Sequence, residues 1–176
     1  MLQSLIGLTR LIDTFTEHTG RLVSWLNIGM VLGTVLVVVL RYVFNNSSIA
    51  LQEGVIYLHG AIFLLGSAYT LKYNEHVRVD ILYQRFSPRG KALVNLLGTL
   101  LLLLPTLGYI WVESWPYVQQ SWQFKEVSQE AAGLPYVYVL KTLILGLVVV
   151  LGLQGIAEVL RSITTLIRPD LEASNG

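Results

Sequence analysis

Nineteen consecutive residues, Leu22 to Leu40, carry no charge and lie between Arg21 and Arg41. A helix rising 1.5 Å per residue needs about 20 residues to cross a hydrocarbon core near 30 Å thick, so this run predicts a membrane span. Uncharged runs from Gly54 to Leu71 and from Ala92 to Val112 predict two more, and a fourth, Ala131 to Ala157, is interrupted only by Lys141 near its start. A lysine there can extend its aliphatic stem and carry its ammonium to the interface. Composition agrees: 53% of the 176 residues are hydrophobic and 13% charged, where soluble domains carry about 25% charged residues. The expected fold is an all-α membrane protein with four transmembrane helices, over about 22–44, 49–72, 89–112 and 135–161.

Cap residues support these limits. Asn45-Asn46-Ser47-Ser48 can end the first span and cap the second. Ser87-Pro88 reads as N-cap and first helical position of the third, and Pro135 is expected to open the fourth in the same way. Pro105 falls inside the third span and removes one backbone donor, which predicts a kink without a break.

Lysine and arginine counts set the expected orientation, because positive residues near spans are retained on the cytoplasmic side. Arg10, Arg21, the loop from Lys72 to Lys91, Arg161 and Arg168 place nine of the twelve positive residues on one face. Both termini and the 72–91 loop are therefore expected in the cytoplasm, and segment 113–134 outside. That outer segment, with Trp111 just before it, carries Trp115, Tyr117, Trp122 and Phe124, rings suited to the headgroup level.

In residues 1–18, Leu2, Leu5, Ile6, Leu8, Ile12 and Phe15 share a helical face, with Gln3, Arg10, Thr14 and Glu17 opposite. This pattern predicts an amphipathic interfacial helix ahead of a four-helix domain over 19–168, with a flexible tail at 169–176. No small-x-small cleavage site follows a compact apolar region, so the first span is expected to stay as a signal anchor.

Chemistry is sparsely encoded. The chain has no cysteine and no HExxH, P-loop, GxSxG or paired-carboxylate pattern, so neither an enzyme nor a cysteine-based metal site is expected. A net charge of +1 without a basic patch gives no reason to expect nucleic acid. His59 is the histidine inside a span, open to reading as a haem ligand or proton relay, or as a neutral side chain hydrogen-bonded to a neighbouring helix. Arg41, Gln52 and Glu53 meet at one membrane face and can pair. Lys141 needs a carboxylate, carbonyl or lipid phosphate within reach, with Glu53 and Glu113 as candidates. The run from His76 to Phe86 can lie on the membrane as an amphipathic helix through Val79, Leu82, Tyr83 and Phe86, its basic residues serving lipid headgroups or a protein neighbour. Gly60, Gly66, Ala68, Gly146 and Gly152 allow close helix approach.

Several ordered fragments carry a family resemblance: Arg41-Tyr42-Val43-Phe44-Asn45, then Gln52-Glu53, His76-Val77-Arg78-Val79-Asp80 and Ser87-Pro88-Arg89-Gly90-Lys91. They continue with Gly133-Leu134-Pro135, Lys141 and Gln154-Gly155-Ile156-Ala157-Glu158. Together they resemble the small membrane subunit, the DctQ family, of tripartite ATP-independent periplasmic (TRAP) transporters. The run His76 to Asp80, between the second and third of four spans, is the most specific fragment. One departure stands out: where the family often has a tryptophan and two acids, this chain has Ala50-Leu51-Gln52-Glu53, leaving Glu53 as the one carboxylate.

The resemblance implies a noncatalytic subunit of a bacterial inner-membrane transporter driven by a sodium gradient. A periplasmic binding protein would deliver an organic acid, such as a dicarboxylate, to a large membrane subunit holding the substrate and sodium sites. This chain would bind no cofactor and would act as scaffold for the large subunit's elevator-like movement. Arg41, Gln52, Glu53, His76, Arg78, Asp80 and Lys141 are the expected partner-facing or structural polar residues. The alternatives are a haem-binding membrane anchor of a respiratory oxidoreductase, using His59, and a small free-standing channel.

Overall fold

The computed structural model describes residues 2–76, 83 and 85–167, and among these the regular structure is helical throughout. Four long helices result: α1 (Leu2–Tyr42), α2 (Ile49–Lys72), α3 (Pro88–Phe124) and α4 (Val137–Ile167). All four are long and apolar enough to cross a membrane. Arg78 and Asp80, most of the surface helix read from His76 to Phe86, and the 169–176 tail lie outside the described residues.

The segments expected separately at 1–18 and 22–44 are one uninterrupted helix of 41 residues, about 60 Å long at 1.5 Å per residue. Gly20 sits at their junction, where a glycine lowers helix propensity by about 1 kcal/mol relative to alanine. Tertiary contact explains its place: a Cβ on Gly20 would lie 2.1 Å from Cδ2 of Tyr69, whose ring rests on the α1 backbone.

Ser48 caps α2, its hydroxyl accepting from the Leu51 N–H at 3.3 Å, and Ser87 caps α3 by accepting from the Gly90 N–H at 3.2 Å. Both expected caps are present. Pro135, by contrast, precedes α4, which begins at Val137 after the Tyr136 carbonyl has accepted from Val139 and Leu140. α3 also runs twelve residues past the expected 112, to Phe124, because Val118 and Ser121 bury against the bundle and keep the turns in register. Lys125, at φ 47°, ends it in the left-handed region.

Pro105 is accommodated by a π-helical turn over Thr99–Leu103, in which the Leu104 N–H reaches back five residues to the Thr99 carbonyl. Widening the helix before the ring relieves the clash and the missing donor that proline imposes. The turn packs on Gly155 of α4, where a Cβ would lie 3.2 Å from Leu103 Cδ2.

α4 lies against all three other helices, whereas α3 rests mainly on α4. Small residues make the closest approaches: Ala68 and Ala157 are buried, Gly146 abuts Leu65, and Gly60 abuts Leu140. In lipid, helix association gains from van der Waals contact and interhelical hydrogen bonds more than from apolar burial. The largest fully buried side chains here are accordingly polar, Gln154 and Thr16. Large apolar side chains such as Leu22, Trp25 and Leu102 point outward.

Candidate functional site

Polar side chains gather at the two ends of the bundle. At the basic end, where α2 finishes and α3 begins, all four helices contribute. Thr16 of α1 donates its hydroxyl to Gln154 Oε1 of α4 at 2.7 Å, and the Gln154 amide donates to Asp13 at 3.0 Å. Asp13 also receives Arg161 Nη2 at 2.9 and 3.0 Å. Arg161 turns its other nitrogen to Glu158 at 2.5 Å, and Glu158 accepts the Asn95 amide of α3 at 2.9 Å. A buried glutamine, an arginine and two carboxylates thus form one connected chain, the condition under which such groups can be buried without large loss.

Glu17, one turn beyond Asp13, ties α1 to the end of α2. It accepts Lys72 Nζ at 2.6 Å, the Tyr73 hydroxyl at 2.6 Å and Arg21 Nε at 2.7 Å. Donation to this carboxylate, reinforced by burial, pushes the Tyr73 phenol up to about 12. Both carboxylates lie in the segment read from sequence as interfacial; there the i, i+4 spacing of Asp13 and Glu17 is the available signal. Their partners, 55 to 148 residues away, have no sequence signature.

At the aromatic end, Glu53 in the first turns of α2 reaches the loop ahead of α4. It accepts the Ser128 hydroxyl and, at 2.6 Å, the Leu134 N–H. Gly133 makes room for it, since a Cβ there would lie 2.9 Å from Glu53 Oε1. The expected pairing of Glu53 with Arg41 is not formed: Arg41 is exposed, with no ion pair among the described residues, and Gln52 donates to Ser47 at 3.1 Å. The Glu53 carboxylate is occupied by a loop that periodicity could not bring near it.

Lys141 pairs with neither Glu53 nor Glu113. Its ammonium meets Glu126 at 2.5 Å and stands 3.9 Å from the Tyr117 ring centroid. Glu113 is exposed on α3, while the left-handed turn at Lys125 folds Glu126 back toward α4. The Lys141 ammonium holds the Glu126 carboxyl below its usual range. Trp122 Nε1 donates to Thr142 at 2.8 Å beside this pair.

Two surface grooves are the largest among the described residues. One, of about 540 Å³ at the basic end, is lined by Lys72, Lys91, Asn95 and Arg161 among others. The other, of about 510 Å³, runs between α1 and α2 past Ser24, Asn27, Phe63 and Ser67 to His76. His59 lies beyond it, exposed, its ring stacked on Phe63 with centroids 6.4 Å apart. Of the site residues expected from sequence, Glu53 and Lys141 occupy the same end in separate ties, Arg41 and Gln52 border them, and His76 lies at the opposite end.

Four apolar helices, cross-tied at both ends by polar groups, define a multi-pass helical membrane protein. The family model for tripartite ATP-independent periplasmic transporters, DctQ component, matches residues 30–165, about three quarters of the chain. The chain belongs to that family and is the small membrane subunit of such a transporter. Comparison with curated proteins and with solved structures gives no match.

Proposed function

We propose that this chain is the noncatalytic small permease subunit of a TRAP transporter in the bacterial inner membrane, with both termini cytoplasmic. It acts as the fixed scaffold for a large membrane subunit that carries the substrate and sodium sites and takes up an organic acid, a dicarboxylate or related carboxylate, from a periplasmic binding protein. No cofactor belongs to this chain in that reading.

The family match over residues 30–165 carries the proposal. The fold supports a scaffold role: Glu17 ties α1 to α2, Asp13 and Gln154 tie α1 to α4, and Asn95 ties α3 to α4. Such ties resist sliding of one helix on another, because each displacement breaks a charge-assisted hydrogen bond in a low-dielectric setting. The excess of lysine and arginine at the end bearing Lys72 and Arg161 supports the orientation. The haem-anchor alternative is not favoured by the family match.

The test is reconstitution. Vesicles holding both membrane subunits and supplied with binding protein and a sodium gradient should take up the organic acid, and vesicles lacking this chain should not. Normal uptake without it would overturn the scaffold reading.

A further inference from the structure

Two exposed polar side chains stand at the depth of the middle of α2, which is mid-membrane if α2 spans the bilayer. His59 lies close to the middle of the 24-residue α2 and is exposed. The close approaches of Gly33 to Val55, Gly29 to Leu58 and Gly20 to Tyr69 set the antiparallel register of α1 and α2. In that register Asn27, also exposed, lies within about one helical turn of the depth of His59.

Neither is fully satisfied among the described residues. The Asn27 amide donates to the Ser24 carbonyl at 3.0 Å, which leaves its Oδ1 without a partner among the described residues. His59 makes a ring contact with Phe63 and no hydrogen bond among the described residues. Asn27 lines the α1–α2 groove together with Ser24 and Ser67, and Phe63, which also lines it and is 71% exposed, carries the His59 ring stacked just beyond. Acyl chains offer these groups no hydrogen-bonding partner, so an unpaired polar side chain facing lipid at the depth of the middle of α2 is disfavoured. The π-turn of α3, by contrast, presents Leu100, Leu101 and Leu102 outward, a surface suited to lipid.

We infer that the α1–α2 groove, lined by Asn27 and Phe63 and continued by His59 just beyond it, is where a transmembrane helix of the large subunit docks, bringing hydrogen-bonding side chains to mid-membrane depth. The inference rests on the proposed scaffold function. Polar complementarity selects the occupant: a membrane helix can place donors and acceptors at this depth, and acyl chains cannot. Phe63 and Ile56, the latter 58% exposed, supply the apolar rim.

The test uses the full complex, co-expressed with the large subunit, carrying benzoylphenylalanine at Phe63 or, separately, at Leu102. Irradiation should give an adduct to the large subunit from position 63 and none from position 102. A His59→Ala/Asn27→Ala double variant should lose at least fivefold in recovered large subunit while its own yield and melting temperature hold. Adducts from position 102 alone, a homodimer adduct or no protein adduct from position 63, or undiminished recovery would each overturn this placement while leaving the scaffold function standing. Failure of the unaltered chain to recover any large subunit would overturn the scaffold reading itself, and this face with it.

Discussion

The Thr16 hydroxyl donates to Gln154 Oε1 at 2.7 Å, joining residues 138 positions apart in the chain, and these are the largest fully buried side chains in the bundle. Gln154 passes the connection on, its amide nitrogen donating to Asp13. One side chain therefore satisfies two groups of α1. Gln154→Leu should leave the Thr16 hydroxyl unpaired and remove one donor from Asp13, costing about 1–3 kcal/mol for the buried group. Thermal unfolding in mild detergent should show the loss, and adding Thr16→Val should restore part of it. A single variant as stable as the unaltered chain would mean the bond contributes nothing.

Gly20 is a packing requirement. Its substitution by alanine would set a Cβ 2.1 Å from the Tyr69 ring, and forcing atoms into a filled interface costs about 1–3 kcal/mol. Gly108, with nothing within 4 Å of its would-be Cβ, is the control: Gly108→Ala should melt at or above the unaltered chain. Equal melting temperatures for the two variants would contradict the α1–α2 contact.

The Lys141–Glu126 pair should respond to acid. The folded-state carboxyl is lowered from its ordinary value of 4.5, so its stabilisation is complete above that value and is lost as pH falls through the lowered one. Melting temperature should therefore drop on acidification below about pH 4.5, and Glu126→Gln should remove part of that dependence. Identical acid profiles for the two proteins would show that Lys141 does not hold this carboxylate.

Tyr57 presents the opposite case. Its hydroxyl is buried without a hydrogen-bond partner among the described residues, and burying a hydroxyl unpaired costs about 1–3 kcal/mol. Tyr57→Phe should leave the melting temperature unchanged or raise it. A marked loss of stability would reveal a partner outside the described residues.

Much of the fold was readable in the amino-acid order because membrane spans obey local rules. The uncharged run from Leu22 to Leu40 predicts a crossing by length alone, and Ser48 and Ser87 cap the helices that follow them, since capping depends on a few neighbouring residues. Propensity alone did not reveal that α1 continues through Gly20, because the reason is the Tyr69 ring of another helix. Nor did it reveal how Pro105 is housed, which depends on the space beside Gly155.

The polar ties were less readable. Glu53 and Lys141 could be singled out as needing partners, because ionisable groups near the hydrocarbon are costly. Their partners, Ser128 and Leu134 for one and Glu126 for the other, come from the loop between α3 and α4. That loop's path depends on the left-handed residues Lys125 and Ala132. Amino-acid order alone specified four helices long and apolar enough to cross a membrane, and the family, since hydrophobic length and ordered motifs are properties of the chain. That Asp13 meets Arg161, that Thr16 meets Gln154 and that His59 faces outward follows from helix packing, because the azimuth and register of each helix are set by its neighbours.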